Sequence, residues 1–315
     1  MSTSELQETV AGPVPDRPVE GRSPWQLAWA RLRRDRVAIG CSVFILILVL
    51  VAIFARPISA LVGYGPTQQD RVNGITPDGL PMPPSAHHWL GTDNLGRDIL
   101  VRIIHGSQVS LAVGVGAAVA AVAIGVVVGL CAGYLGPAVD SVLARLMDVV
   151  LSFPFLLFAI ALVTVVGPSE LIEIAVIAFF SWAAVGRIVR GQTLAIREKE
   201  YVEAARSLGA GDLRIMFVDV LPNLIAPVIV YTTLLIPVSI VFEATLSYLG
   251  VGIIPPTPSW GNMISDAQTF YQVAWWFLVF PGLALILTTL AFNLLGDSVR
   301  DALDPRTERL FAARR

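Results

Sequence analysis

Hydrophobic positions in this chain are gathered into long uncharged blocks separated by polar connections. Val37 to Ala55 carries no charge, and as a helix it reaches roughly 28 Å, enough for one bilayer crossing. Further apolar stretches occupy 109–134, 148–166, 171–189, 223–250 and 274–296. The pattern predicts an all-α, polytopic membrane protein with about six transmembrane helices. The 171–189 stretch is the least secure, because Glu170 and Glu173 stand at its start.

The polar blocks set the organisation. Residues 1–24 are polar, contain proline and carry mixed charge, which predicts a disordered tail. Residues 25–36, WQLAWARLRRDR, predict a short amphipathic helix. Trp25, Leu27 and Trp29 suit the headgroup region, with Arg31, Arg33, Arg34 and Arg36 on the cytosolic side. A secretory leader would have a shorter apolar core nearer the start, so 37–55 reads as a retained helix. Residues 56–108 are rich in Pro, Gly and polar residues and are expected outside, as an extracytoplasmic segment. The remaining units are a transmembrane core at 109–296, with a charged loop at 187–222, and a tail at 297–315.

Arginine placement tests the count of crossings. With the N-terminus inside, Arg145, then Arg187, Arg190, Arg197, Lys199, Arg206 and Arg214, then Arg300, Arg306, Arg309, Arg314 and Arg315 all fall on the cytosolic side. The outer connections keep only Arg56, Arg71, Arg97 and Arg102, and 251–273 has no Lys or Arg. This is a positive-inside pattern. Dropping the 171–189 helix would put the basic C-terminus outside, so parity supports six crossings and cytosolic ends.

Composition agrees: 55% of residues are hydrophobic and 15% charged, with mean hydropathy +0.71. A soluble globular chain is typically about 25% charged. Cys41 and Cys131 lie in apolar runs, as buried thiols rather than a disulfide framework. His87, His88 and His105 have no Cys or carboxylate at ligand spacing, which argues against a metal site. Lys199 is the sole lysine and sits in Arg-Glu-Lys-Glu, so a phosphate-binding P-loop is excluded. Any ATP must be handled by a partner.

The stretch Arg197 to Pro222, REKEYVEAARSLGAGDLRIMFVDVLP, holds the most specific signal. Ala204 and Ala205 favour helix and have little bulk, which allows a partner to approach closely. Glu203 can cap the helix or pair with basic neighbours. Gly209 to Gly211 permits a sharp bend, Asp212 is expected as N-cap for a helix over Leu213 to Val220, and Pro222 helps set the return into the next span. The spacing of Glu203-Ala204-Ala205, Gly209 and Leu221-Pro222 resembles the EAA loop of the membrane subunits of binding-protein-dependent ATP-binding-cassette (ABC) importers. The resemblance implies an ATPase-coupling loop built from Glu203, Ala204, Ala205, Leu208, Gly209, Asp212, Leu213, Leu221 and Pro222. Asp219 departs from the family pattern, which often has an aliphatic residue two before Leu-Pro.

Three more segments, His87 to Leu111, Arg145 to Leu162 and Phe242 to Ile264, are similar to the C-type permease chain of the dipeptide/oligopeptide/nickel branch. The DSVRDALDPR end also fits, so the likeness covers nearly everything from Trp25 to Arg306. In physical terms, Gly91-Thr92-Asp93 and Gly96-Arg97-Asp98 look like a turn leading into an amphipathic helix, with Asp98 and Arg102 placed to pair. Asp93, Arg97, Asp98 and Trp260 are either staples of the outer segment or contacts for a docked binding protein. Trp260 and Trp275-Trp276 suit the outer interface belt. Asp148, Phe153, Pro154 and Glu243 are candidates for the translocation path or the subunit interface. Asp148 is expected to pair with Arg145, and Glu243 either hydrogen-bonds across the interface or lines the path. Pro154, Pro237 and Pro281 interrupt apolar helices, either as hinges or as static packing kinks.

The resemblance implies the type I ABC importer permease fold and no catalytic residue, cofactor or metal in this chain. Implied partners are a homologous second permease subunit, two ATPase subunits carrying ATP and Mg, an extracytoplasmic substrate-binding protein and membrane lipid, with no nucleic acid. A short peptide is the expected substrate, with nickel complexes, haem or glutathione as alternatives. An ion-coupled secondary transporter, using Glu243, and a non-transporting membrane anchor are the readings from other classes; both leave the loop unexplained.

Overall fold

The computed structural model describes residues 24–303; all but the last residue of the expected disordered tail at 1–24, and the chain beyond 303, lie outside the described residues. Among the described residues the regular elements are helices. A short α1 (Pro24–Leu32) turns into α2 (Arg36–Ile53), followed by α3 (Ala55–Val62). After an irregular segment come α4 (Ile99–Tyr134), α5 (Pro137–Ser152), α6 (Phe155–Val166) and α7 (Glu170–Arg197). A polar connection holds α8 (Glu200–Ser207) and α9 (Asp212–Arg214) and leads through a π-helical turn at Ile215–Val220 into α10 (Leu221–Tyr248). The described chain ends with α11 (Trp260–Ala267) and α12 (Trp275–Leu303).

Helices α2, α4, α7, the continuous Asp212–Tyr248 unit and α12 are each long and apolar enough to cross a membrane. The crossing expected at 148–166 is not one straight helix. There α5 and α6 meet at 83° across Phe153-Pro154, with Pro154 as the N-cap residue of α6. Proline has no N–H to continue the helix and its ring clashes with the preceding turn. The 135–147 stretch, which joins two of the expected spans, is largely helical, because Pro137 at the start of α5 suits a helix N-terminus.

Contacts at its ends place the bent pair from one end of the bundle to the other. Asp140, in the first turn of α5, pairs with Arg190 near the end of α7. Pro168, just after α6, shares a cleft with Ile253 and Thr257, which follow α10. Counted as one broken span, the pair brings the candidate crossings to six, and contacts at the other helix ends agree. Arg31 donates to the Ala302 carbonyl at 3.2 Å and Ser298 donates to Asp35 at 2.7 Å, joining α1 to the end of α12. On the opposite face Trp276 donates to the Thr92 carbonyl at 3.4 Å, joining the irregular 63–98 segment to α12. The described N-terminus, the α7–α10 connection and the end of α12 therefore share one face.

The centre of the bundle is the α4–α7 pair, and glycine makes its closeness feasible. Gly125, Gly129 and Gly133 repeat every fourth residue on one face of α4. A Cβ on Gly129 would lie 2.5 Å from the Gly186 carbonyl oxygen, and one on Gly133 would lie 2.5 Å from Thr193 Cβ. Lipid supplies no hydrophobic drive between helices, so close backbone packing through small residues holds such pairs. Around this seam pack Val113, Ala117, Ala121, Ile177, Trp182 and Ala183.

The 63–98 segment is a buried electrostatic staple. Asp98 caps α4 by accepting from the Val101 N–H at 2.9 Å, and its other oxygen meets His88 at 2.8 Å. Asp98 does not pair with Arg102 as expected, because its carboxylate is committed to cap and histidine. Arg102 instead lies 3.3 Å from Asp93, which also holds Arg97 at 2.6 Å. His88 further approaches Asp70 at 3.4 Å. The Asn73 N–H, with that of Val72, holds the Asp70 carboxyl below its usual range. Burial pushes Asp266 on α11 up, against the pull of the Arg102 and Arg97 guanidiniums.

Candidate coupling loop and membrane core

The charged loop folds as a projecting helix followed by a bend. Val202 is fully buried and anchors α8 against Ile215, Met216 and Val220. Glu203 and Ala204 face out and Ala205 is half-buried, so one side of α8 is free while the other is packed. Glu200 and Glu203 lie in its first turn, where the helix dipole favours acidic groups. Leu208 caps the end at 88% exposure, and Gly209 then turns the chain with φ of +84°. A Cβ there would meet nothing within 4 Å, so glycine serves the backbone angle and not space.

Asp212 was expected to cap the next helix. The N-cap residue is Gly211, which has no side chain to give, and Asp212 accepts a hydrogen bond from the Tyr134 hydroxyl at 3.1 Å. Leu213 is 70% exposed beside Phe217 and Val218, which leaves an apolar patch next to α8. The expected α-helix over Leu213 to Val220 is mostly a π-helical turn. Pro222 cannot donate to the carbonyl four residues back, and a wider turn before it relieves the clash. Leu221 is half-buried and Pro222 exposed at the first turn of α10.

Three contacts bind this loop to the bundle. Arg197 donates to the Gly133 carbonyl at 3.2 Å, Arg206 lies over the Tyr134 ring at 5.9 Å, and Tyr134 holds Asp212. All converge on the end of α4. Sequence reading missed Tyr134; its one visible signal is an aromatic with a polar tip closing an apolar run.

In the membrane core, Asp148 is about half exposed and pairs with Arg187 at 2.5 Å, while Arg145 stands farther off at 3.7 Å. Phe153 is 48% exposed at the α5–α6 bend. It lines an apolar groove of about 460 Å³ with Phe155, Phe180, Tyr231 and Phe242; Pro154 only makes the bend. A second groove, about 380 Å³, shares Tyr231 and Leu234 and ends at Gln192 and Arg300.

Glu243 is fully buried, so it neither lines a groove nor faces a partner as expected. Ser247 donates to its Oε1 at 3.0 Å, and the hydroxyls of Ser110 and Ser259 face it, which links α10, α4 and α11. Glu173 on α7 is a second buried carboxyl, at 2% exposure, and a Cβ on Gly252 would lie 2.7 Å from its Oε1. Asp93, Arg97, Asp98 and Trp260 are all buried within the chain, so a docked protein would meet the segment they hold and not these side chains. Trp260 donates to the Ile103 carbonyl at 3.2 Å and Trp276 is likewise packed inside. Of the expected belt only Trp275 is exposed.

The described chain is thus a bundle of five long apolar helices and one bent helix pair, with a projecting helix–glycine–helix loop at one end. The family described as binding-protein-dependent transport system inner membrane component matches residues 125–309, and the N-terminal TM domain of oligopeptide transport permease C matches residues 23–84. The chain belongs to this family of ABC importer permeases. It is 43% identical over 290 residues to the glutathione transport system permease protein GsiD of Escherichia coli O6:K15:H31, covering 92% of this chain and 93% of that one. The GsiD of Pectobacterium atrosepticum is 41% identical over 285 residues, at 90% and 92% coverage. Family membership makes it a multi-pass transport subunit that works with an ATPase and a substrate-binding protein.

Proposed function

We propose that this chain forms half of the translocation path of a short-peptide importer, paired with a homologous permease chain and two ATPase subunits that carry the ATP and Mg. The observation that carries this reading is the α8–Gly209–α9 projection, exposed on one side and tied to the end of α4 on the other. Its face also holds Arg33, Arg34, Arg36, Arg187, Arg190 and Arg300, which supports a cytosolic assignment for that face and both ends. ATP binding draws the two loops together, and each loop moves its α4 and the packed α7. The bundle has two packings a few kcal/mol apart, and nucleotide state chooses between them.

The joined grooves from Phe153 to Arg300 are this chain's share of the path. Their lining is mostly apolar, and the cation at the loop-side end suits a solute with a free carboxylate. Glutathione, the solute named for the relatives, is such a short peptide and is the first to test. The experiment is uptake of labelled glutathione and of a dipeptide series into proteoliposomes holding the full complex with its binding protein. ATP-dependent accumulation of a peptide supports the reading. Accumulation driven by a proton gradient without ATP, or no peptide flux from an assembled complex, overturns it.

A further inference from the structure

The turn between α1 and α2 is a charged corner fixed in place by the rest of the fold. Ala28 is 4% exposed where α1 packs on α12, and the Arg31–Ala302 and Ser298–Asp35 hydrogen bonds bolt the corner to the end of that helix. Arg33, Arg34 and Arg36 are all exposed on it. The nearest carboxylate in sequence, Asp35, is already engaged, accepting from Ser298 and from the Val37 N–H at the start of α2.

Two further features show what this corner faces. Trp25 and Trp29 are 47% and 58% exposed on α1, and the Arg33 guanidinium lies 4.9 Å over the Trp29 ring. Below the corner α2 continues as a span of which only 11% is buried, with Val37, Ile39 and Val43 about half exposed. Exposed cations, exposed indoles and an open apolar helix thus meet at one corner, the three kinds of group that a phospholipid's phosphate, glycerol and acyl chain contact. The positive end of the α2 dipole adds to the attraction for an anion.

We infer that the α1–α2 corner is a binding site for an anionic phospholipid, with Arg33, Arg34 and Arg36 taking the headgroup phosphate and Trp25 and Trp29 lying against the glycerol and upper acyl chain. The surface is contiguous with the lipid-exposed flank of α2, which favours a lipid over a soluble anion. Each arginine near an anionic leaflet contributes about fivefold in affinity. The bound lipid brings α1 and the end of α12 onto the membrane as one unit.

The test is native mass spectrometry of the full chain, taken from nanodiscs of equimolar phosphatidylcholine and phosphatidylglycerol. Wild type is expected to retain phosphatidylglycerol in preference, and the Arg33→Gln/Arg34→Gln/Arg36→Gln variant to lose that preference by about a hundredfold. Arg34→Gln alone, expected to fold normally, should lose about fivefold. Arg71→Gln, an equal loss of charge on the opposite face, should change nothing. Unchanged preference in both corner variants, equal loss in Arg71→Gln, or displacement of the lipid by inorganic phosphate overturns the inference.

Discussion

The Tyr134 hydroxyl donates to Asp212 at 3.1 Å across 78 residues of sequence, tying the last residue of α4 to the first residue after the Gly209–Gly211 bend. This bond, and the Arg206–Tyr134 contact beside it, join the loop to the helix at the centre of the bundle, which on the proposed function is the route for a push on the loop.

Tyr134→Phe should therefore loosen coupling while leaving the fold intact. A single hydrogen bond is worth about 1 kcal/mol, or about fivefold in the balance between two packings. The expected outcome is a several-fold fall in solute moved per ATP hydrolysed, measured on the reconstituted complex. An unchanged ratio would show that Tyr134 carries no part of the signal.

The α4–α7 seam should tolerate no side chain at its middle glycine. Gly129→Leu must displace the Gly186 carbonyl and Val189, so an overpacking cost of about 3 kcal/mol or more is expected. Fluorescence-detected size exclusion should show most of the folded chain lost. Gly40→Ala on α2, with nothing within 4 Å, should elute as wild type.

Much of this bundle is legible in the sequence, and the failures have physical causes. Uncharged runs betray a span, so five of the six crossings are near their expected places. Helix α4 begins at Ile99 rather than near 109 because its first turns bury Arg102 and Ser107, whose polarity hides a helix from a hydropathy reading. Pro154 announces a break, yet the 83° bend depends on what α6 packs against. The Glu203–Gly209 spacing reveals the loop, but Tyr134 lies too far away in sequence for spacing to find. The Gly125-Gly129-Gly133 repeat is visible in the sequence, but which helix it packs against is set only by the fold, which brings Gly186, Val189 and Thr193 of α7 onto it.

Glu243 sits where three helices meet, and its removal should be felt in both stability and transport. Glu243→Ala strands the Ser247 hydroxyl and leaves a hole, at a cost of about 1–3 kcal/mol. Glu243→Gln keeps an acceptor and should lie nearer wild type. Thermal melting of the purified chain and uptake by the complex are the two readouts. Normal uptake by an assembled Glu243→Ala complex would remove Glu243 from the account.

The central claim is that the α8–Gly209–α9 projection is where the ATPase engages this chain. Replacing Gly209, at φ +84°, strains the bend by roughly 1–2 kcal/mol, and Glu203→Arg reverses charge on the free side of α8. The most direct measurement is co-purification of the ATPase with this chain from gently solubilised membranes, comparing wild type, Gly209→Asp and Glu203→Arg. The account predicts that wild type retains the ATPase and that both variants lose it while remaining folded in the membrane. Equal retention in all three, or no ATPase with wild type, would contradict it.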